Sequence, residues 1–465
     1  MTQTLQEQLF IEQRKKELLQ QAHDYAAAFI DAGAEQPAFP GEQAIAGLSV
    51  FDEPVPEAGL SGANVIDKLA HYGGPATAAQ QGGRYFGFVN GGALPTALAA
   101  RWLADVWDQN SAVFNTSPIA SKLESVSEKW VTELLGLPSN TVAGFVTGSS
   151  SAIFCGLAAA RWRLLKQLGW DVNTDGLAGA PQLRIITGRQ THATVVKAVA
   201  LLGFGTANIE FVDVDSQGRL IAEKMPVLDD KSIVCLQAGN VASGSFDPFE
   251  SICQQARDVG AWVHVDGAFG LWAAASENYR GLTKGMELAH SWSVDGHKTL
   301  NTPYDCGLAL CADAEALEKA LQASGSYIVR GKDRDGMNYT PDMSRRARSI
   351  DLWAALAYLG KDGVDQLIDL LCSRAREMAS ALEVEGFRIL NDVVFNQVLV
   401  ACETEEATKA TIADVQASGV CWAGTTNWFG ETVIRVSVCN WATTSEDIAL
   451  STKAFVDARA RASKG

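Results

Sequence analysis

Two apolar runs each end on a side chain that can do chemistry. AWVHVDGAFG carries Asp266, and SWSVDGHKTLN carries Lys298 directly after His297. A lysine amine forms an imine with an aldehyde. A carboxylate beside a pyridine nitrogen keeps it protonated, so that the ring accepts electrons from a substrate. An acid at one strand end and a Gly-His-Lys turn at the end of the next apolar run are what an enzyme needs to hold pyridoxal phosphate (PLP). Each residue also has an ordinary reading: Asp266 as a cap for AFGLWAAA, Lys298 as a solvated lysine.

A phosphate needs donors and positive charge. In TGSSSAIFCGLAAAR (147–161) an apolar run ends, Gly148 permits a tight turn, and a helix opens on consecutive serines. The free amides and positive dipole end of such a helix suit a phosphate, and Ser150 and Ser151 add hydroxyls. Plain N-capping by Ser149 or Ser150 is the alternative. His192, in RIITGRQTHATVVKA, either stacks on a planar cofactor or caps the helix that follows. His264, on the run that ends at Asp266, reads as structural. Arg435, in TVIRVSV, is either a bidentate clamp for a substrate carboxylate or half of a buried ion pair. Tyr85, Phe86 and Phe88 either wall an apolar pocket or belong to the core.

These residues need a frame. Strand-like runs recur at 143–147, 183–188, 209–214, 232–239, 261–266, 291–296 and 307–312, with helical stretches between, as at 151–167, 192–203 and 247–259. The pattern predicts an α/β fold with a mostly parallel central sheet covered by helices on both faces. Ligands then sit beyond the carboxyl ends of the strands, where Asp266 and the GSSS turn fall. Residues 4–31 carry an imperfect apolar stripe and predict a helical arm, while 32–62, rich in Gly and Pro, read as an extended linker. Residues 324–346 have no period and read as a mobile loop. Helices near 347–360 and 363–385, with strands at 387–391, 396–402 and 432–438, predict a smaller α+β C-terminal domain. The organisation is an arm and linker over 1–90, a large domain over 91–330, and the loop with the small domain over 331–465.

The formal charge of −16 over 465 residues argues against nucleic-acid or anionic-membrane partners, which need basic patches. Nine cysteines show no CxxC pair and no zinc-like spacing, so no metal site is expected and free thiols of a reducing compartment are. The N-terminal residues lack the apolar core of a secretory signal, and no apolar run reaches membrane-spanning length. The expectation is a cytoplasmic protein.

The segments GRYFGFVNGG, NTSPIASKLESVSEKWV, GFVTGSSSAIFCGLAAAR, QTHATVVKA, QAGNVASGSFDP, WVHVDGAFG, VDGHKTLN and SRRARSIDLWAAL, in that order, resemble the PLP-dependent group II amino acid decarboxylases. The resemblance runs from about Arg84 to Trp441 and implies a fold-type-I, PLP-dependent transferase-like architecture. It implies that Lys298 holds PLP as an imine, that Asp266 pairs with the pyridinium nitrogen, and that Ala268 and His192 cover the two ring faces. Ser150 and Ser151 would bind the phosphate with His297 nearby. Asn240 falls where the family often has a threonine near the phenolic oxygen. Phe88 and Arg435 are the substrate-binding candidates. The implied activity is decarboxylation of an L-amino acid to the amine and CO2, in a homodimer with intertwined N-terminal segments.

Two departures stand out. In aromatic-acting relatives a loop tyrosine, upstream of an Arg-Arg pair like Arg345-Arg346, returns the proton; ungapped alignment puts Gly336 there. Tyr339 is the candidate acid, with Tyr327 second, and both also read as ordinary loop aromatics. Thr299 follows the lysine where many aromatic-acting members have Trp. Relatives without the tyrosine divert to aldehyde, so an oxidative, aldehyde-forming decarboxylase, or a carbon–carbon lyase of the same fold, is the alternative. A non-catalytic binding protein of this fold is disfavoured, because Lys298, Asp266 and His192 are all retained.

Overall fold

The computed structural model describes residues 4–33, 35–322 and 333–462. Each of the seven predicted runs of the large domain becomes a strand: β1 (Val142–Val146), β2 (Arg184–Gly188), β3 (Ile209–Val212), β4 (Ser232–Gln237), β5 (Trp262–Asp266), β6 (Ser291–Asp295) and β7 (Gly307–Cys311). They form one sheet in the order β1-β7-β6-β5-β4-β2-β3. β2 pairs in parallel with β3 and β4, β4 with β5, and β5 with β6. β7 is antiparallel to both β6 and β1, so β1 runs in the same direction as the parallel set. The carboxyl ends of β1, β2, β4, β5 and β6 therefore share one edge of the sheet.

The central strands are buried along their whole length, β4, β5 and β6 among them, because helices cover both faces. The helices are α1 (Leu5–Lys15), α2 (Glu17–Asp31), α3 (Glu42–Gly47), α4 (Gly62–Lys68), α5 (Pro95–Trp107), α6 (Pro118–Leu134), α7 (Ser149–Gln167), α8 (Val172–Asp175), α9 (Ala193–Leu201), α10 (Phe249–Asp258), α11 (Ala314–Leu321), α12 (Ser349–Val384), α13 (Glu405–Ser418) and α14 (Ser445–Ala462). One core, carrying Ile153, Leu157, Val195, Val199 and Leu317, joins α7, α9 and α11 to the sheet. The other, on the opposite face, takes in Phe249 and Ile252 of α10, Val131 of α6 and Leu352 of α12.

The small domain has a second, antiparallel sheet in the order β10-β11-β9-β8, with β8 (Arg388–Ile389), β9 (Gln397–Ala401), β10 (Gly424–Trp428) and β11 (Glu431–Ser437). β10 has no apolar run (GTTNW) and gave no strand signal. The two predicted helices after the loop are the two arms of α12, which meet at Gly360, whose non-helical φ of 63° lies in the left-handed region that glycine tolerates. The predicted arm is two helices, broken at Lys16 with φ 59°, and the predicted linker contains the short helix α3 and ends where α4 begins.

Candidate active site

The shared strand edge gathers the chemistry. Asp266 ends β5, and Asp295 ends β6 just before the His297-Lys298 turn. His192 follows β2, Asn240 follows β4, and the serines of α7 follow β1. Parallel pairing puts side chains far apart in sequence on one ledge.

Asp266 is buried. Its Oδ1 accepts hydrogen bonds from the Ala268 amide (3.2 Å) and from Ser293 Oγ (3.3 Å). Oδ2 carries no hydrogen bond among the described residues. Ala268 also accepts from the Asp295 amide at 2.9 Å, which locks the turn after β5 to the end of β6. His192 is half-buried and caps α9. Its Nδ1 accepts from the Thr194 amide (3.3 Å) and lies 2.6 Å from Thr194 Oγ1. Burial lowers its pKa, and its ring feels the charges of Asp266, Lys298, Arg435 and Asp295. Capping and facing the constellation are thus both true of this residue.

Lys298 Nζ is 3.0 Å from Asp295 Oδ2, and His297 Nε2 is 3.6 Å from the same oxygen. His297 is buried, its Nδ1 accepts from the Cys306 amide (3.1 Å), and the Tyr304 ring lies 4.3 Å from its own. Burial lowers the His297 pKa. Gly148, before α7, sits so close to this turn that a Cβ there would lie 3.1 Å from His297 Cε1. The helix opens with Ser149 buried, Ser150 exposed and Ser151 Oγ 3.1 Å from Thr147 Oγ1. The first intrahelical bond is made by the Ala152 amide to Gly148, so the preceding amides face outward as anion donors.

The lysine turn is tied down by Asn301, a left-handed residue (φ 56°) and fully buried. Its Nδ2 donates to the carbonyls of Lys298, Thr299 and Cys439, and its Oδ1 accepts from the amides of Gly92 and Trp441. The 87–92 loop packs directly on this turn: a Cβ on Gly91 would strike the carbonyl oxygens of His297 and Lys298. Phe88 and Val89 in that loop have left-handed φ of 53° and 60°. Phe88 is 62% exposed and stacks on Trp422, which also stacks on Tyr85. Tyr304 donates to Asn90 Oδ1 at 2.8 Å.

Arg435 lies on β11, with Nη1 donating to the Val241 carbonyl at 3.4 Å. Burial pushes its pKa down, and among the described residues no carboxylate is within ion-pair distance. It is a half-buried cation, and its charge reaches His192. Asn240 is committed elsewhere. Its Oδ1 accepts from the amides of Ala242 and Ser243, and its Nδ2 donates to the Gln190 carbonyl, bracing the loop behind His192.

Tyr339 is not brought to this ledge. Its ring lies under the Arg334 guanidinium at 4.5 Å and packs against the α7 core, and the charges around it are Arg334, Glu318, Glu128 and Asp335. Arg334 is itself anchored by Glu124 and Glu128 of α6, and Arg345 by Glu124 at 2.7 Å. A Cβ on Gly336 would strike the Arg345 guanidinium, so a larger side chain there would have to displace Arg345 from Glu124. Tyr327 lies outside the described residues. Sequence reasoning missed Asp295, Ser293, Asn301 and Tyr304. The first stood in plain view in SVDGHK, three residues before the lysine.

The residues present fit pyridoxal phosphate. They offer an amine, a buried carboxylate with a free oxygen, a ring beside them, and a helix N-terminus with serines. Among the described residues no cluster of His, Cys, Asp and Glu could hold a metal ion.

Comparison with known proteins agrees. The pyridoxal-dependent decarboxylase conserved domain matches residues 53–401. An acidic amino acid decarboxylase (GADL1) of Mus musculus is 27% identical over 334 residues, 68% of this chain and 59% of that protein. A phenylacetaldehyde synthase of a Rosa hybrid cultivar is 28% identical over 322 residues, 63% of this chain and 62% of its own. The chain thus spans about three-fifths of the length of these relatives. The crystal structure of Oryza sativa TDC with PLP and tryptamine superposes with a TM-score of 0.89 at 20% identity, over 99% of each chain.

Proposed function

The chain belongs to the pyridoxal-dependent decarboxylase family, and on that premise we propose that it converts an L-amino acid to the amine and CO2. When bound, PLP supplies an aldehyde for a lysine and a ring that accepts the electron pair left as a bond to Cα breaks. The protein's share is orientation, charge and the movement of protons. Lys298 supplies the amine. The free Oδ2 of Asp266 holds a proton at the pyridine nitrogen, and Ser293 and the Ala268 amide keep that carboxylate aimed. His192 would cover one ring face and Ala268 the other. Ser150, Ser151 and the first amides of α7 would receive the phosphate.

The observation that carries the substrate side is Arg435. A half-buried guanidinium with no counter-ion among the described residues is partly desolvated and open to a ligand that supplies the anion, and an amino acid carries a carboxylate. Arg435 fixes that carboxylate, which selects the bond to be broken. Phe88, held outward by a left-handed backbone, offers an apolar wall for the side chain. The functional unit in this reading is a homodimer in the cytoplasm. α1 and α2 bury no side chain of their own, which suits helices that pack on a second copy.

The aldehyde-forming reading has one observation in its favour: the candidate acid Tyr339 is held under Arg334. Product analysis tests both. Purified protein with PLP in air is offered acidic, aromatic and diamino L-amino acids, and products are read by mass spectrometry. An amine is the expected result. Aldehyde with peroxide and ammonia replaces it with the oxidative reading, and a transaminated cofactor with no CO2 removes both.

A further inference from the structure

His192 has two ring nitrogens, and its surroundings decide which of them carries the proton. Nδ1 accepts from the Thr194 amide at 3.3 Å, in the cap that opens α9. A backbone amide only donates, so Nδ1 must offer its lone pair. The Thr194 hydroxyl, 2.6 Å away, then turns its own proton to the same nitrogen. A proton on Nδ1 would point at the amide proton, so the geometry excludes both the other tautomer and the doubly protonated ring. Burial favours the neutral ring as well. The proton therefore sits on Nε2, which makes no hydrogen bond among the described residues.

Helix capping accounts for the amide contact. It does not account for the hydroxyl, whose one hydrogen bond among the described residues is to Nδ1. Two other histidines are fixed in the same sense by an amide. Nδ1 of His290 accepts from the Val263 amide at 3.0 Å, and Nδ1 of His297 from the Cys306 amide at 3.1 Å. Nε2 of His297 then has a carboxylate oxygen, Asp295 Oδ2, at 3.6 Å. His192 has no carboxylate at ion-pair distance among the described residues, and the charges of Asp266, Lys298 and Arg435 reach its ring.

We propose that Thr194 is a positioning residue that fixes His192 as the Nε2–H tautomer, so that the ledge offers the substrate a hydrogen-bond donor, and no base, at this ring. The inference rests on the decarboxylase reading above. An amino acid held by Arg435 brings a carboxylate to the ledge. The other tautomer, in the same place, would turn a lone pair toward that anion and repel it. Thr194 touches no substrate and acts through the ring.

Full-length protein with its histidine ring nitrogens isotopically labelled is examined by NMR, with and without PLP, at about pH 8, above the ordinary histidine range. His192 is assigned by the signals that His192→Gln removes, and His290 serves as the reference in the same spectrum. The expected pattern is that of an Nε2–H ring, matching His290. A proton on Nδ1 overturns the proposal, and this is read on the wild-type side chain at position 194. Thr194→Val keeps the shape and the amide but loses the hydroxyl. Its His192 signals should move toward the Nδ1–H pattern. For the L-amino acid that yields an amine, kcat/KM should fall about threefold to tenfold, the weight of one hydrogen bond. Thr194→Ser should restore both. Wild-type signals in the Val variant, or a Ser variant impaired as much as Val, overturn the proposal. Signals that move while kcat/KM stays unchanged overturn the role given to the Nε2 proton. A wild type that forms no amine from any amino acid overturns the decarboxylase reading and that role with it, and the ring pattern reads the tautomer separately.

Discussion

At the scale of the residue, the site divides by what a side chain advertises in sequence. Lys298 and Asp266 were legible because an acid and a lysine at the ends of apolar runs are expensive to place there without a use. Asp295 was equally visible, yet a carboxylate beside a lysine reads as a routine ion pair until its burial and missing hydrogen bonds are known. Arg435 was left between a clamp and an ion pair, and only three-dimensional neighbours distinguish the two. Two substitutions test these roles. Lys298→Ala should abolish the protonated-imine absorbance and turnover together; a variant that keeps turnover removes the central assignment. Arg435→Gln should raise KM for the substrate by about 10- to 100-fold, the loss of one charge-assisted contact of about 1.5–3 kcal/mol. An unchanged KM in a folded variant would show that the guanidinium does not meet the carboxylate.

At the scale of the element, periodicity located the strands because buried parallel strands are apolar throughout, and it failed where burial is one-sided. β10, GTTNW, is polar because it forms an edge of the small sheet, and the arm broke at Lys16 with no glycine to announce it. The ledge itself was legible as strand ends, but not the knot of five hydrogen bonds that Asn301 makes beneath the lysine, because an Asn in a loop has many uses. β5 and β6 carry a further, measurable consequence. His264 is fully buried against Gly156 of α7, shares a hydrogen bond of 2.9 Å with Ser291 Oγ, and is pushed down to about 3 by burial. His290, stacked on Trp262, is pushed down to about 4. A depressed histidine binds its proton more readily in the unfolded chain. Stability is therefore full above the unfolded value near 6.5 and falls as pH drops through the window toward 3, by about 1.4 kcal/mol per pH unit per group. His264→Leu should lose less stability than the wild type between about pH 7 and pH 5.5, by roughly 1 kcal/mol. Urea midpoints at the two pH values measure it, and equal losses would show that His264 is not a source of acid sensitivity.

At the scale of the whole molecule, the exposed apolar surface is the feature a single chain leaves unexplained. Leu5, Leu9, Phe10, Leu19 and Ile30 of the arm are exposed, as are Trp102, Leu103, Val106 and Trp107 of α5. A cavity of about 970 Å3 opens between α2, α5 and α14, lined by Phe29, Ile30, Leu98, Trp102 and Trp441. Exposed apolar patches of this extent mark an interface. Here the exposure continues to Phe88 and Tyr304 at the mouth of the ledge, so the surface that covers the arm also reaches the site. In the proposed homodimer a second copy of the chain would cover both, and would then shape the substrate pocket as well as add stability. Light scattering should give twice the 49.6 kDa chain mass at micromolar concentration. Removing residues 1–31, or placing Asp at Phe10 and Leu103 together, should shift the mass toward one chain and slow turnover, while Lys298 still forms its imine with PLP in the monomer. A wild type that runs as a single chain with full activity would leave the apolar arm without this role and would confine the substrate pocket to one subunit.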